Sequence, residues 1–215
     1  MLKYLSYLYP ITRKVKSDYS DTLEITWYNG KKHLNSKNAN YSYGSLQAIL
    51  KFGLEQMNLE KVQSVLLLGL GGGSVIETLR TDFNYKNKIT AVDIDPVVID
   101  IAKTEYQLDE DTKTSIICQD ALAFVKEHTS KYDLIIIDLF IDIDVPKVFL
   151  EIPFWEQLLK LRTTQGSFLF NASLEEKKSN ALNTLINYLK TKTYKVAVYD
   201  KVNETNTLVI GHALN

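Results

Sequence analysis

Four acidic residues lie at or beyond the ends of predicted strands, where they could contact a ligand. Asp93, Asp120 and Asp138 each follow a strand-like segment, and Asp142 lies in the loop after Asp138. Ligands of open α/β sheets bind beyond the carboxyl ends of the strands. Asp138 follows three isoleucines, so its carboxylate must find partners or stay solvated at the mouth of a cleft. We therefore expect Asp138 to orient or deprotonate an acceptor.

Each of these acids also has a simpler interpretation. Asp93 could be a solvated strand end, and Asp142, with its neighbour Asp144, a solvated loop. Asp120 could cap the helix that begins at Ala121. Asp120 could equally accept a hydrogen bond from an adenine amino group, helped by the Ala121 backbone N–H, and the two roles can coexist.

A glycine-rich turn precedes the acids in the chain. Gly69, Gly71, Gly72 and Gly73 follow the predicted strand 63–68, whose residues 65–68 are apolar, and Ser74 with Glu77 forms a predicted capping box that starts a helix. A strand, a glycine turn and a helix N-terminus together favour a nucleotide-like ligand. The next strand ends in an acid 24 residues after the first glycine, near the roughly 20 expected for a ribose-binding carboxylate. The G-x-G-x-G spacing differs from the G-x-G-x-x-G of dinucleotide sites, which favours S-adenosylmethionine (SAM) or a relative over NAD.

The composition excludes several other classes of function. Lys plus Arg number 25 and Asp plus Glu 26, so the net charge of −1 gives no field that would attract nucleic acid. No segment is typical of a membrane span or a signal peptide. Cys118 is the single cysteine, predicted to lie in a buried strand, so no internal disulfide can form and a cytoplasmic location is expected. The histidines His33, His128 and His212 are scattered, and the acids have no supporting ligands, so we expect no metal site.

The elements that would position these residues alternate between strand and helix from residue 63 onward, which predicts an α/β fold with a mostly parallel sheet. The last two predicted strands are separated by a short polar turn and must form an antiparallel hairpin. The result is a seven-stranded, Rossmann-like sheet of the SAM-dependent methyltransferase type. The predicted strands are 63–68, 88–93, 114–118, 132–138, 166–171, 194–199 and 207–211, and the predicted helices between them start at 74, 95, 121, 153 and 175.

A small β region is expected before this domain. Residues 23–28 alternate as a half-exposed strand, and Asn29-Gly30 is a strong hairpin signal that makes 31–34 the return strand. Residues 1–18 carry no clear pattern. We therefore divide the chain into an N-terminal β-hairpin region, 1–42, and an α/β domain, 43–215.

The motifs Val65–Ser74, Ala91–Pro96, Gln119–Ala121 and Tyr132–Phe140 resemble those of the spermidine synthase-like branch of the SAM-dependent methyltransferase fold. The resemblance implies that the four glycines hold the sulfonium end of SAM or decarboxylated SAM. By the same resemblance Asp93, with Ile94, would bind the ribose, Asp120 and Ala121 the adenine, and Asp138 the attacking amine. Tyr43, Gln47 and Asp142 are the substrate-binding residues it implies, and the N-terminal hairpin is expected to form a homodimer.

Two positions depart from the family's pattern. Ser74 stands where spermidine synthases carry an acid that pairs with the free amine of decarboxylated SAM, a contact worth about 1.5–3 kcal/mol. The loop 138–146 places its second acid, Asp142, differently. The sequence therefore predicts a SAM-dependent transferase acting on a small molecule, such as an amine, with methyl transfer slightly favoured. The alternatives are an aminopropyltransferase that uses decarboxylated SAM and a diamine, and a non-catalytic nucleoside-binding relative.

Overall fold

The computed structural model describes residues 2–36, 40–42, 45–108, 112–141, 144–173, 179–192 and 194–213. The strands in these ranges are β1 (Ile11–Ser17), β2 (Asp21–Tyr28), β3 (Lys31–Asn35), β4 (Asn40–Ser42), β5 (Ser64–Leu68), β6 (Lys88–Asp93), β7 (Thr114–Cys118), β8 (Tyr132–Ile137), β9 (Arg162–Ser173), β10 (Tyr194–Val202) and β11 (Asn206–Ala213). The α-helices are α1 (Leu2–Leu5), α2 (Ser45–Glu55), α3 (Ser74–Thr81), α4 (Pro96–Tyr106), α5 (Ala121–Glu127), α6 (Ile152–Leu158) and α7 (Asn180–Lys190).

The larger sheet confirms the predicted α/β fold. Its seven strands run in the order β10-β11-β9-β8-β5-β6-β7. The pairs from β9 to β7 are parallel, and β11 pairs antiparallel with both β9 and β10. This order places the carboxyl ends of β8, β5, β6 and β7 side by side.

The central strand β5 explains why its sequence is an uninterrupted apolar run. Leu66 and Leu68 lie in the hydrophobic core on one face of the sheet. Val65 and Leu67 lie in a second core on the other face. Because successive side chains of a strand point to opposite faces, a strand covered on both sides must be apolar throughout.

The smaller sheet contains β1, β2, β3 and β4 in that order, all antiparallel. The predicted hairpin is present between β2 and β3, and Asn29 (φ 48°) and Gly30 (φ 74°) adopt the left-handed backbone of its turn. Residues 1–18, which the sequence left unassigned, contain α1 and β1. The division of the chain at residue 42 stays a prediction.

This smaller sheet packs on α4. Leu23, Ile25 and Leu34 form one apolar cluster with Val98 and Ile101 of the helix.

Polar contacts join the same two elements. The Glu105 carboxylate pairs with Arg13 at 2.5 Å and with Lys32 at 2.7 Å. The hydroxyls of Ser17 and Ser20 donate to Asp95 Oδ2 at 2.5 and 2.7 Å. The smaller sheet therefore contacts the larger domain through both apolar and charged groups.

Three sequence-based expectations need correction. Cys118 is exposed, because β7 is the edge strand and has a neighbour on one side only. The helix expected from about Pro153 to Arg162 starts as expected, at Ile152, but ends at Leu158, where a 3₁₀ turn at Leu159–Leu161 replaces its last turn. The helix expected over 175–190 begins at Asn180, because the backbone of its N-cap residue Ser179 is extended; residues 174–178 lie outside the described ranges. Within those ranges, no helix has the length and apolar character needed to cross a membrane.

Candidate functional site

The glycine turn after β5 lies directly against the end of β8. Gly69, Gly71 and Gly73 have φ angles of 91°, 51° and 84°, a region that other residues rarely adopt. A Cβ atom at Gly69 would overlap the backbone carbonyl oxygen of Asp138. Gly72 is buried within the turn. The close approach of the two strand ends therefore requires glycine at position 69.

Helix α3 begins where the sequence predicts, but its cap differs. The N-cap residue is Gly73, which has no side chain to accept a hydrogen bond, and Ser74 is the first helical residue and 3% exposed. The predicted capping box between Ser74 and Glu77 is therefore wrong. Gly73, in a left-handed backbone conformation, therefore takes the N-cap position that the Ser-x-x-Glu pattern assigns to Ser74.

Asp93, the last residue of β6, points its carboxylate at the glycine turn. Oδ2 accepts hydrogen bonds from the backbone N–H groups of Leu70 (2.9 Å) and Gly71 (3.4 Å), and Oδ1 accepts one from the N–H of Asp95 (3.0 Å). Protein atoms surround the carboxyl, and this burial is the main cause of the raised pKa of Asp93. The three backbone donors lower this pKa, whereas the charge of Asp95 raises it. Asp93 thus connects the turn to β6. Ribose binding by Asp93 and the exposed Ile94 stays a prediction.

Asp120 follows β7 and caps α5. Its Oδ1 accepts a hydrogen bond from the Ala123 N–H at 3.0 Å, and Ala121 is the buried first residue of the helix. The Gln119 N–H donates to the backbone carbonyl of Asp93 at 2.9 Å, which joins the ends of β6 and β7. The cap is present, and contact of Asp120 and Ala121 with an adenine stays a prediction.

Asp138 follows β8, and its backbone N–H donates to the Leu68 carbonyl at 2.8 Å. Its Oδ1 accepts a hydrogen bond from Asn171 Nδ2 at 2.9 Å. The pKa of Asp138 is raised to about 6, chiefly by burial. The charge of Asp93 also raises this pKa, whereas the hydrogen bond from Asn171 lowers it. A carboxylate that changes protonation near neutral pH can take up a proton from an acceptor.

Together these residues form a row along one edge of the sheet. Asp138 stands on one side of the glycine turn, and Asp93 and then Asp120 stand on the other, following the strand order. Such a row favours a positively charged ligand. Among the described residues, no group of three or more His, Cys, Asp or Glu side chains could hold a metal ion.

The structure describes one of the three expected substrate-binding residues. Gln47 lies on α2, and its Nε2 donates to Thr78 Oγ1 of α3 at 3.1 Å. Tyr43 and Asp142 lie outside the described residues. Substrate binding by all three stays a prediction.

The sequence reasoning missed Asn171. This residue lies in β9 beside Asp138, and its side chain is fully buried. The available signal was a polar residue near the carboxyl end of a predicted strand. An amide at a strand end can donate to a neighbouring carboxylate, so amides as well as acids at these positions are candidate site residues.

The model of a known protein family matches most of this chain. The model of the Spermine/spermidine synthase domain matches residues 47–208. A polyamine aminopropyltransferase of Sulfolobus acidocaldarius is 35% identical over 144 residues, which are 63% of this chain and 47% of that protein. The chain thus spans about half the length of the curated relatives it matches.

Two solved structures resemble the fold. Human Methyltransferase-like protein 13, in complex with SAH, has a TM-score of 0.63 and 22% identity, over 80% of this chain and 83% of that one. A probable spermidine synthase from Corynebacterium glutamicum has a TM-score of 0.66 and 16% identity, over 95% of this chain and 77% of that one. At these identities the likeness concerns the fold alone.

Proposed function

Because the chain belongs to the spermine/spermidine synthase family, whose model matches most of it, we propose that it transfers an alkyl group from a sulfonium nucleoside to a small amine. Aminopropyl transfer from decarboxylated SAM is the first candidate, since relatives named polyamine aminopropyltransferase are 35% and 33% identical over 144 and 138 residues of the chain. The observation that carries the proposal is Asp138, a carboxyl with a raised pKa beside the glycine turn.

The residues of the row fit such a ligand. The glycine turn presents backbone without side chains to the sulfonium end. A carboxylate has about four acceptor positions, and Asp93 uses three of them for backbone N–H groups, which leaves room for a ribose hydroxyl. Asp120 and Ala121 would hold the adenine. When bound, the sulfonium nucleoside supplies an electrophilic carbon, whose bond to sulfur breaks as the amine nitrogen forms its bond.

Asp138 supplies the base. An amine must be uncharged at nitrogen before it can attack, and the product nitrogen must lose a proton. With its pKa at about 6, Asp138 is mostly ionised above neutral pH and accepts that proton. Its strand-end position beside the turn also orients the amine toward the reacting carbon.

Methyl transfer from SAM is the second candidate, and one position favours it. Ser74 is buried at the start of α3, where the resembling spermidine synthases carry an acid. Without that acid, the free amine of decarboxylated SAM loses a charged partner, and the preference for it over SAM falls.

Calorimetric titration with SAM, decarboxylated SAM and methylthioadenosine tests these candidates. We expect all three nucleosides to bind at the site. Of the two sulfonium compounds, SAM and decarboxylated SAM, the one that binds more tightly is identified as the donor.

Asp138→Asn should leave the affinity for that donor within about twofold and reduce turnover at least 100-fold, the usual contribution of a general base. Asp82→Asn makes the same acid-to-amide change at the C-terminal end of α3, where Asp82 pairs with Lys51; it is the matched control and should retain turnover. Failure of all three ligands to bind would contradict the proposal, whereas binding without product from any amine would support a non-catalytic relative.

The proposal also covers the N-terminal region, both its boundary and its role in a dimer. The division at residue 42 separates the smaller sheet from the α/β domain. Homodimerisation through the N-terminal region is supported by exposed aromatic and aliphatic side chains there, including Tyr4 and Leu8, which are 77% and 80% exposed. Sedimentation of the wild type and of Tyr4→Ser/Leu8→Ser tests the dimer, and a wild-type monomer would contradict it.

A further inference from the structure

Two buried asparagine side chains connect the first residue of β11 to Asp138. Asn171 in β9 is fully buried, and Asn206 at the start of β11 is 1% exposed. Burial of an amide is costly unless its donors and acceptor are hydrogen-bonded. Nothing in the general plan of the sheet requires asparagine at these positions, since most core residues of β9 and β11 are apolar.

The hydrogen bonds of these amides run in one direction. The Thr205 hydroxyl donates to Asn206 Oδ1 at 2.7 Å. Asn206 Nδ2 donates to Asn171 Oδ1 at 2.7 Å. Asn171 Nδ2 donates to Asp138 Oδ1 at 2.9 Å. We refer to Thr205, Asn206 and Asn171 as the amide chain.

The chemistry of each group fixes this direction. An ionised Asp138 can only accept, so Asn171 must present its NH₂ group to it. The Asn171 oxygen then faces Asn206, which must present its own NH₂ group. The remaining Asn206 oxygen requires a donor, and the Thr205 hydroxyl is one. A flip of either amide would bring two oxygens or two NH₂ groups together.

The strands keep the amide chain in place. Asn171 pairs with Leu208 in the β9–β11 ladder, and Phe170 pairs with Ile137, the residue before Asp138. Within the described part of the chain, Asp138 Oδ2 has no hydrogen-bond donor, whereas Oδ1 has Asn171. The two carboxylate oxygens are thereby made different.

We propose that Asn171 and Asn206 are positioning residues, whose amide chain fixes Asp138 Oδ1 to the sheet and leaves Oδ2 to accept the proton of the amine. This inference rests on the proposed transferase function. It assigns the orientation of the base in that step to a network of amides, which do not themselves titrate.

The surroundings of Asp138 give the proposal a distinct pH signature. Asp93, on β6, is the charged group that acts on the Asp138 carboxyl, and it raises the pKa. The adjoining ends of β5 and β9 contribute uncharged residues, Leu68 and Gly69 from one and Phe170 and Asn171 from the other. The Asn171 donor lowers the pKa of Asp138, so its loss must raise that pKa.

The test compares the wild-type chain with Asn171→Leu and Asn206→Leu. NMR titration of the Asp138 side-chain carboxyl carbon should show an upward shift of about one pH unit in Asn171→Leu, equivalent to one hydrogen bond to a charged group. A smaller upward shift is expected in Asn206→Leu, where Asn171 remains but its orientation is free. The acidic limb of the kcat profile should move by the same amounts, with the KM for the nucleoside unchanged.

Thr207→Val is the matched control. Thr207 is a buried polar residue next to Asn206 on the same strand, but its hydroxyl donates to Asp200 at 3.3 Å, outside the amide chain. It should leave the Asp138 titration unchanged. An equal shift in Thr207→Val, or an unshifted titration in a folded Asn171→Leu or Asn206→Leu protein, would overturn the proposal.

The carboxyl titration needs no turnover, so it separates this inference from the proposed function. If the wild type binds no sulfonium nucleoside but the titrations shift as expected, the transferase function fails and the amide chain's control of Asp138 stands. If Asn171→Leu does not fold, the Asn206→Leu titration decides the result alone.

Discussion

Replacing Asp138 with asparagine should make the protein more stable above neutral pH. The pKa of this carboxyl is raised from 3.8 to about 6, chiefly by burial, so the folded protein binds the proton more tightly than the unfolded chain does. Between these two values the unfolded state releases its proton first. The free energy of unfolding therefore falls as the pH rises from about 3.8 to about 6, and the full penalty applies above that.

The size of the effect follows from the shift. A difference of about two pKa units corresponds to about 3 kcal/mol, since one unit is worth about 1.4 kcal/mol. Asparagine keeps an oxygen for the Asn171 donor but buries an additional NH₂ group, so we expect a net gain of roughly 1–3 kcal/mol at pH 8. At about 2–4 °C per kcal/mol for a chain of this size, the melting temperature should rise by several degrees.

Scanning calorimetry of Asp138→Asn at pH 8 and pH 4 measures this effect. The gain should be present at pH 8 and small at pH 4, where the wild-type carboxyl is protonated in the folded protein. Asp120→Asn serves as the control, because Asp120 is a partly exposed cap. A loss of stability at pH 8, or the same change at both pH values, would refute the assignment of a buried, weakly acidic carboxyl.

Three other substitutions have defined outcomes. Asp93→Ala should lower the free energy of unfolding by roughly 2–4 kcal/mol without ligand and weaken nucleoside binding, because three backbone N–H groups lose their acceptor; calorimetry that finds only the binding defect would contradict this. Gly69→Ala should cost roughly 2–4 kcal/mol in urea unfolding, since alanine is strained at φ 91° and its Cβ overlaps the Asp138 carbonyl, and a wild-type midpoint would contradict the geometry. Glu105→Gln should lower the free energy of unfolding by about 0.5–1 kcal/mol, because it removes the ion pair with Lys32, which lowers the pKa of Glu105. This loss should fade in 1 M salt and as the pH falls below 4.5, the ordinary pKa of a glutamate. A loss that persists under both conditions would indicate that packing, and not the ion pair, is responsible.

The fold was predictable where sequence signals are local. The apolar run of β5, bounded by polar residues and glycines, is typical of a strand covered on both faces, and Asn29-Gly30 can form the left-handed turn that joins β2 to β3. The closing antiparallel pair was also predictable, because the turn between β10 and β11 is too short for a crossover helix.

The N-terminal strand could not be predicted from the same signals. Strand β1 has no fully buried residue, so its sequence shows no apolar alternation. Its place in the sheet depends on pairing with β2 and on the ion pair of Arg13 with Glu105, a residue far away in the chain.

At the candidate site, positions were predictable but contacts were not. Residue spacing places Asp93, Asp120 and Asp138 at strand ends. Residue spacing does not show that the Asp93 carboxylate accepts a hydrogen bond from the Leu70 backbone, because that contact depends on how the glycine turn folds back. The contact between Asp138 and Asn171 likewise depends on the register of two strands that are distant in sequence.

The contacts of Asp95 restrict how modules of this fold can be exchanged. One oxygen of its carboxylate caps α4, the other receives the hydroxyls of Ser17 and Ser20, and its backbone N–H reaches Asp93. A chimera that carries another protein's N-terminal sheet must therefore supply two equivalent hydroxyls. Otherwise it leaves a carboxylate that is 1% exposed short of donors, two residues from the acid that anchors the glycine turn.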